Sequence, residues 1–382
     1  PIFLSVGYAS CHWCHVMAHE SFENNDTAKI MNEKFINIKV DREERPDLDS
    51  IFQKSLGVLT GAQGGWPLSM FLDENAVPFT GGTYFPPKEM HGRPSFTQVL
   101  ENVSKVYSEN REKIILQVSQ LQMVFKEFNR KNAVLKQDLE PYAEKIIQYF
   151  DEQNGGFKGA PKFPQFYVFD TIFYFYKKKN DKKFLEPVEK LLNNISSKGI
   201  YDQLEGGIAR YTVDDKWIVP HFEKMLYDNI LFVNLLGQFY LLEPNEYYKE
   251  KLIQTVEFIN DSFKNRENLL GSAYDADSEG IEGKYYVWND KELRAVLESD
   301  YDFFAKYYDI SENGNWEGKN ILIEKSLKPT KEESEKLVKI KEKLLITREK
   351  RPKPLFDDKT QIDLNAYWTS TLFFVAEVFE NE

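Results

Sequence analysis

Ile2-Phe3-Leu4-Ser5-Val6-Gly7, followed by Cys11-His12-Trp13-Cys14, is the stretch on which the reading turns. A short apolar run bounded by glycine has the composition of a buried strand. The two cysteines are the only ones in 382 residues, and they stand at Cys-x-x-Cys spacing where a helix would open. A helix N-terminus carries roughly half a positive charge, which favours a thiolate over a thiol. A redox dithiol built this way places Cys11 exposed at the helix tip and Cys14 one turn in, ready to resolve a mixed disulfide.

Other readings of the same residues stand beside it. Cys11, Cys14, His15 and His19 offer four zinc ligands, with His15 and His19 one helical turn apart. Cys11-His12-Trp13-Cys14-His15 matches the haem c attachment string. Two inert buried thiols are the bland alternative. A partly cationic His12 would stabilise a thiolate at Cys11; otherwise it is a solvated histidine. Trp13 either docks a substrate chain or covers the helix. Pro67 opens a strand, which suits a cis Trp66–Pro67 bond presenting backbone to the dithiol or an ordinary loop proline.

Onward from Cys11, helical periodicity runs to about Phe22 and again from Asn25-Asp26 to Phe35. Ile36 to Asp41 alternates as a strand. A helix follows near Asp47–Leu59, then an apolar run Leu68–Leu72, a turn at Asp73-Glu74-Asn75, a short strand Val77–Thr80 and a helix from Phe96 to Val106. This order gives a small mixed sheet flanked by helices, with the Cys-x-x-Cys at the C-terminal end of the first strand. Residues 104–136 read as a charged helical bridge. Beyond about 138, amphipathic segments alternate with Gly-rich aromatic loops at roughly 139–150, 165–179, 183–198, 223–242, 245–264, 290–298, 300–308, 330–346 and 364–380, with almost no β pattern. Paired helices with loops at one end suggest an α/α hairpin array or toroid. The domains are then 1–130, including the bridging helix, and 131–382.

Composition bounds the partners. Apolar residues make up 42% and aromatics 15%, with 29 Phe and 21 Tyr, so large aromatic cores or clefts are expected. The net charge of −12 and pI near 5.2 argue against nucleic acid, which needs a basic face. No apolar run approaches the roughly 20 residues that cross a bilayer. No signal peptide is visible, and the opening on Pro1 reads as a fragment. Two cysteines at this spacing fit a cytoplasmic redox or metal pair better than a secreted disulfide framework. No cofactor is expected.

In the second half, the densest stretch runs from Tyr201-Asp202-Gln203 to Asn229. It holds Arg210, Tyr211, His221, Glu223, Lys224 and Asp228, and reads as a cleft wall, although Glu223 and Asp228 could simply cap a helix. A second cluster, Ser272 to Gly283, carries Asp275 and Asp277. Its alternating carboxylates invite calcium but lack the EF-hand glycine and glutamate. Paired carboxylates across an aromatic cleft also serve glycoside chemistry. Asn313 to Asn320 forms a turn with Trp316 at the cleft rim. These ten residues, Asp202, Arg210, Tyr211, His221, Glu223, Lys224, Asp228, Asp275, Asp277 and Trp316, are the candidate substrate-binding set; solvated acidic loops are the bland alternative.

Three strings, Cys11-His12-Trp13-Cys14-His15-Val16-Met17, Val40-Asp41-Arg42-Glu43-Glu44-Arg45-Pro46-Asp47 and Gly64-Gly65-Trp66-Pro67, resemble the thioredoxin-domain-containing family of spermatogenesis-associated protein 20 and its bacterial and archaeal relatives. Tyr201-Asp202-Gln203, the run Pro220 to Asn229, Asp275 to Gly280 and Asn315 to Asn320 resemble it too. The resemblance implies a thioredoxin-like α/β domain joined to an incomplete six-hairpin-glycosidase-like α/α toroid. It also implies Cys11 as attacking thiol, Cys14 as resolving thiol and Pro67 as cis-proline. A protein disulfide or dithiol partner and a carbohydrate ligand follow as expectations, with a zinc or partner-binding scaffold as the non-enzymatic alternative. The family carries more chain before Pro1 and more helices after Glu382, and its Trp-Asn-Gly is replaced here by Leu364-Asn365-Ala366.

Overall fold

The computed structural model describes residues 1–90, 92–128 and 139–379. The chain divides into two compact units, Pro1–Lys136 and Gln137–Glu382; the expected boundary at 130/131 lies outside the described residues.

The first unit runs β1 (Ile2–Gly7), α1 (His12–Met17), α2 (Asn25–Lys34), β2 (Ile36–Asp41), α3 (Pro46–Thr60), β3 (Leu68–Leu72), β4 (Pro78–Gly82), α4 (Phe96–Glu109) and α5 (Arg111–Phe128). A π-helical turn, Ala18–Phe22, continues α1. The sheet order is β2-β1-β3-β4, with β1 parallel to β2 and antiparallel to β3. It is the mixed, thioredoxin-like sheet expected. Strand β1 is buried on both faces, which is why it reads as an unbroken apolar run. Phe3 packs with Met17, Phe71 and Phe96 on one side, while Leu4 and Val6 pack with Phe52, Leu56 and Met70 on the other. Strand β2 borders the sheet and is largely exposed. Helix α4 starts with a full capping box, Ser95 and Gln98 satisfying each other's backbone N–H. The expected continuous bridge is interrupted at Asn110, between α4 and α5; residues 129–136 of that expectation lie outside the described residues.

The second unit is largely helical: α6 (Glu140–Ile147), α7 (Phe166–Lys179), α8 (Lys182–Ser197), β5 (Lys224–Met225), α9 (Leu226–Leu242), α10 (Glu246–Ser262), β6 (Ala273–Tyr274), β7 (Asp277–Ser278), β8 (Ile281–Glu282), α11 (Asp290–Leu297), α12 (Tyr301–Tyr307), α13 (Lys331–Arg348), β9 (Phe356–Asp357) and α14 (Ile362–Phe379). Helix α7 pairs with α8 and α9 with α10, while α14 lies along α9. These are the hairpins from which α/α arrays are built. Helix α9 is apolar on every side because it is covered by α7, α10 and α14, and Ile230, Phe232, Val233, Leu236 and Phe239 are all buried. As the sequence leads one to expect, β structure is scarce here: among the described residues it amounts to five two-residue strands. Two-residue strands form a β5-β6-β9 ladder and a β7–β8 hairpin. The start of α9 moves from 223 to Leu226 for this reason: Lys224 and Met225 pair with Tyr274 and Ala273. Residue 380, the expected end of the last helix, lies outside the described residues.

Candidate functional site

The Cys-x-x-Cys sits where β1 hands over to α1. Cys11 is the N-cap of α1, and Cys14 lies in its first turn. The two are joined as a disulfide, with Cα atoms 5.2 Å apart. The Cys14 N–H donates to Cys11 Sγ at 3.2 Å, so a backbone dipole of the helix start is aimed at that sulfur. Gly7 is required beneath it, since a Cβ there would fall 2.8 Å from Cys14 Sγ. One expectation is overturned. Cys11 is not exposed at the tip but buried, at 3%, whereas Cys14 is half-buried. The N-cap position explains this: Cys11 N–H donates back to Tyr8 O at 3.2 Å, folding the residue under the turn.

Around the disulfide, Trp13 is 48% exposed and packs on Tyr84, ring centroids 5.2 Å apart. Tyr84 donates to Glu20, and burial together with that carboxylate pushes its hydroxyl up to about 12. His12 contacts Trp13 edge-on. The Trp66–Pro67 peptide is cis. Trp66 Nε1–H donates to Asp49 at 2.9 Å, and the Arg42 guanidinium lies over the Trp66 ring at 4.1 Å. The groups of the zinc alternative are drawn apart. The cysteines bind each other, His15 Nε2 lies 2.6 Å from Ala9 O, and His19 pairs with Glu23 on the surface. Among the described residues no three His, Cys, Asp or Glu gather as a metal site.

The helical unit sorts nine of its ten candidates into two groups and three outliers, and the tenth, Trp316, touches the second group only through Phe222. Asp202 is the hub of the first group. It accepts from Lys224 Nζ at 2.9 Å and from Arg348 Nη1 at 2.8 Å, and Arg348 Nη2 reaches Glu205 at 2.9 Å. Burial alone would raise the Asp202 carboxyl, but Arg348 and Lys224 hold it well below the usual carboxylate range. The cavity beside it, lined by Tyr201, Asp202, Phe222, Lys224 and Arg348, has a volume near 40 Å³. That is room for a water rather than a sugar ring, so the expected cleft does not open at this point.

The second group lies where residues 210–211 meet 221–223. Arg210 Nη1 bonds Glu223 Oε2 at 3.2 Å, and Glu223 is fully buried. His221 Nδ1 lies 2.7 Å from Glu282. The His221 ring stacks on Tyr211 at 4.8 Å, and Tyr211 stacks on Phe163 at 4.6 Å. Burial first, then Glu223 and Glu282, push the Tyr211 hydroxyl up to about 12. Between His221 and Glu223, Phe222 adopts φ 36°, a conformation costly for a bulky residue. It is held by Tyr286 at 5.7 Å and Trp316 at 5.3 Å.

The outliers are three carboxylates. Asp228 sits in the first turn of α9. Asp275 is buried and accepts the Asp277 N–H at 3.2 Å. Asp277 faces Glu282 across the β7–β8 hairpin. Trp316 occupies a tight turn closed by mutual backbone bonds with Lys319. The sequence reading missed Arg348, Glu205, Glu282, Phe163, Tyr84 and Asp49. They are scattered over separate helices, strands and loops, and none carries a local spacing signal.

The family model described as "Thioredox_DsbH: Protein of unknown function, DUF255" matches residues 1–126. "Uncharacterized protein B0495.5" of Caenorhabditis elegans is 35% identical across 82% of this chain and 46% of its own length. Human "Spermatogenesis-associated protein 20" is 32% identical across 94% of this chain and 51% of its own length. The chain thus spans about half the length of the curated relatives it matches. Among solved structures, a family 76 glycoside hydrolase from a bovine Bacteroides thetaiotaomicron strain aligns at 13% identity, TM-score 0.33, over 64% of this chain and 52% of that one; a likeness of that size carries no argument about activity. No helix among the described residues is long and apolar enough to cross a membrane. Residues 1–126 thus belong to the Thioredox_DsbH family, and across both units the chain is similar to spermatogenesis-associated protein 20.

Proposed function

We propose that the first unit exchanges thiols and disulfides with a partner at Cys11 and Cys14. The observation that supports this most directly is the Cys14 N–H directed at Cys11 Sγ from the start of α1. It favours negative charge on that sulfur once the bond opens. In the reduced form, the Cys11 thiolate attacks one sulfur of the partner disulfide and expels the other as a thiolate, leaving a mixed disulfide. Cys14, deprotonated, then attacks Cys11 Sγ, re-forms the intramolecular bond and releases the partner's second thiolate; two electrons pass to the partner. Trp13 and Tyr84 supply an apolar shelf beside the sulfurs, suited to a polypeptide partner. The test is reduction of insulin by wild type and Cys11→Ser with a dithiol as electron source. Wild type should turn over and the variant should not; equal rates reject the reading.

A second reading concerns the helical unit. The tier Phe163–Tyr211–His221, stacked beside the Arg210–Glu223 and His221–Glu282 pairs, favours a carbohydrate ligand, which binds aromatic faces flanked by polar groups. Calorimetric titration with neutral and acidic sugars should show heat that is lost in Tyr211→Ala. Silence across sugar classes rejects it.

A further inference from the structure

We propose that Arg42 is a specificity-determining cation of the disulfide site and receives a carboxylate carried by the disulfide-bearing partner. The proposal rests on the exchange reading above. Arg42 follows β2 directly, and its N–H donates to Gly7 O at 2.8 Å, tying it to the end of the strand on which Cys14 Sγ rests. Its guanidinium lies over Trp66 at 4.1 Å and over Tyr8 at 5.2 Å. Those two rings meet edge-on at 5.9 Å. Tyr8 accepts the Cys11 N–H through its carbonyl, which ties the ring pair and the cation on it to the backbone that leads into the disulfide.

The cation is therefore held by two ring faces. Its Nη1 is secluded from solvent and has no hydrogen-bond partner among the described residues, while the residue as a whole is half-buried, so a carboxylate meets the guanidinium on its open side. Two carboxylates of the following helix are engaged elsewhere: Asp47 pairs with Arg45 at 2.7 Å, and Asp49 accepts from Trp66 at 2.9 Å. An orphaned guanidinium N–H costs stability, and in native proteins it generally has an explanation. A planar fork immobilised on an indole is also pre-organised for a carboxylate, since little rotamer entropy remains to be lost. In a chain of net charge −12, this local cation gives an acidic partner a place to dock that the overall field does not.

The test compares paired disulfides. One pair consists of two synthetic peptides with Glu or Gln beside the disulfide cysteine. The other is dithiodiglycolate against bis(hydroxyethyl) disulfide, which separates a small-molecule source of the carboxylate from a polypeptide one. In at least one pair, wild type should favour the carboxylate form in kcat/KM by about fivefold, less at high salt. Arg42→Met should bring that ratio to about one, with Arg42→Lys in between; should the Met variant fail to fold, the Lys variant carries the comparison. A ratio of one for wild type in both pairs, or a preference undiminished in both variants, overturns the assignment while leaving exchange intact. If wild type turns over none of the four faster than Cys11→Ser, exchange itself falls.

Discussion

Gly7 shows how closely the dithiol is fitted to its strand. The residue is extended β1 backbone, so its lack of a side chain answers to space rather than to torsion. A methyl group would meet Cys14 Sγ at 2.8 Å, and a sulfur tied to Cys11 cannot swing aside as a free side chain would. Gly7→Ala should therefore destabilise the oxidised unit by about 1–3 kcal/mol, as overpacking does elsewhere, and the reduced unit by less. Thermal unfolding with and without reductant measures the difference, and an equal loss in both states refutes the fit. The burial of Cys11 makes the order of attack the sharper question. Electrostatics favour Cys11 as the nucleophile, because the N–H of Cys14 points at its sulfur. Cys14→Ser should then accumulate a mixed disulfide with a peptide substrate through Cys11, detectable by mass spectrometry and released by dithiol. Accumulation in Cys11→Ser instead would reverse the roles.

Element by element, legibility in the sequence follows the range of the interactions. Strand β1 and helix α1 were readable because the signal is local: apolar run, glycine, then a cysteine N-cap. The body of α9 was readable from its apolar content, but not its first residue, because Lys224 and Met225 are taken by a strand partner some fifty positions downstream. The Asp202 hub shows the same limit. Its lysine partner was named, yet Arg348 lies 146 residues away on α13 and leaves no trace near Asp202. Arg42 lies inside the legible run Val40 to Asp47, but only the structure shows it over Trp66. Gly237 belongs to this class as well. Mid-helix glycine costs about 1 kcal/mol relative to alanine, and here it admits Phe374 of α14, which a Cβ would meet at 2.9 Å. Gly237→Ala should destabilise the helical unit despite its better propensity. Combined with Phe374→Leu, it should cost less than the two single changes added together. A coupling energy of zero from urea unfolding would show that α9 and α14 do not depend on that contact.

Buried charge gives the molecule its expected response to acid, and the two strongest cases lie in the helical unit. Asp151 is set against Lys162 Nζ at 2.6 Å and receives N–H groups from Gln153 and Asn154. Burial works against its ionisation, yet Lys162 and Asn154 bring it down to about 2. Asp202 is depressed for the same kind of reason, by Arg348 and Lys224. Both carboxyls therefore hold their protons less tightly folded than unfolded, where an aspartate titrates near ~3.9. The unfolded chain takes up protons first as pH drops, so the stability these groups contribute is complete above about pH 4 and drains away toward about pH 2. Asp202→Asn keeps the size of the side chain but leaves Arg348 and Lys224 buried without their shared anion. It should cost about 3–5 kcal/mol at neutral pH. Because the titrating group is gone, the variant should also lose less stability than wild type between about pH 5 and pH 3. Urea unfolding followed by the helical signal at both pH values separates the two effects. Parallel losses in wild type and variant would mean that Asp202 is not what acid attacks, and that Asp151 or groups outside these pairs carry the response.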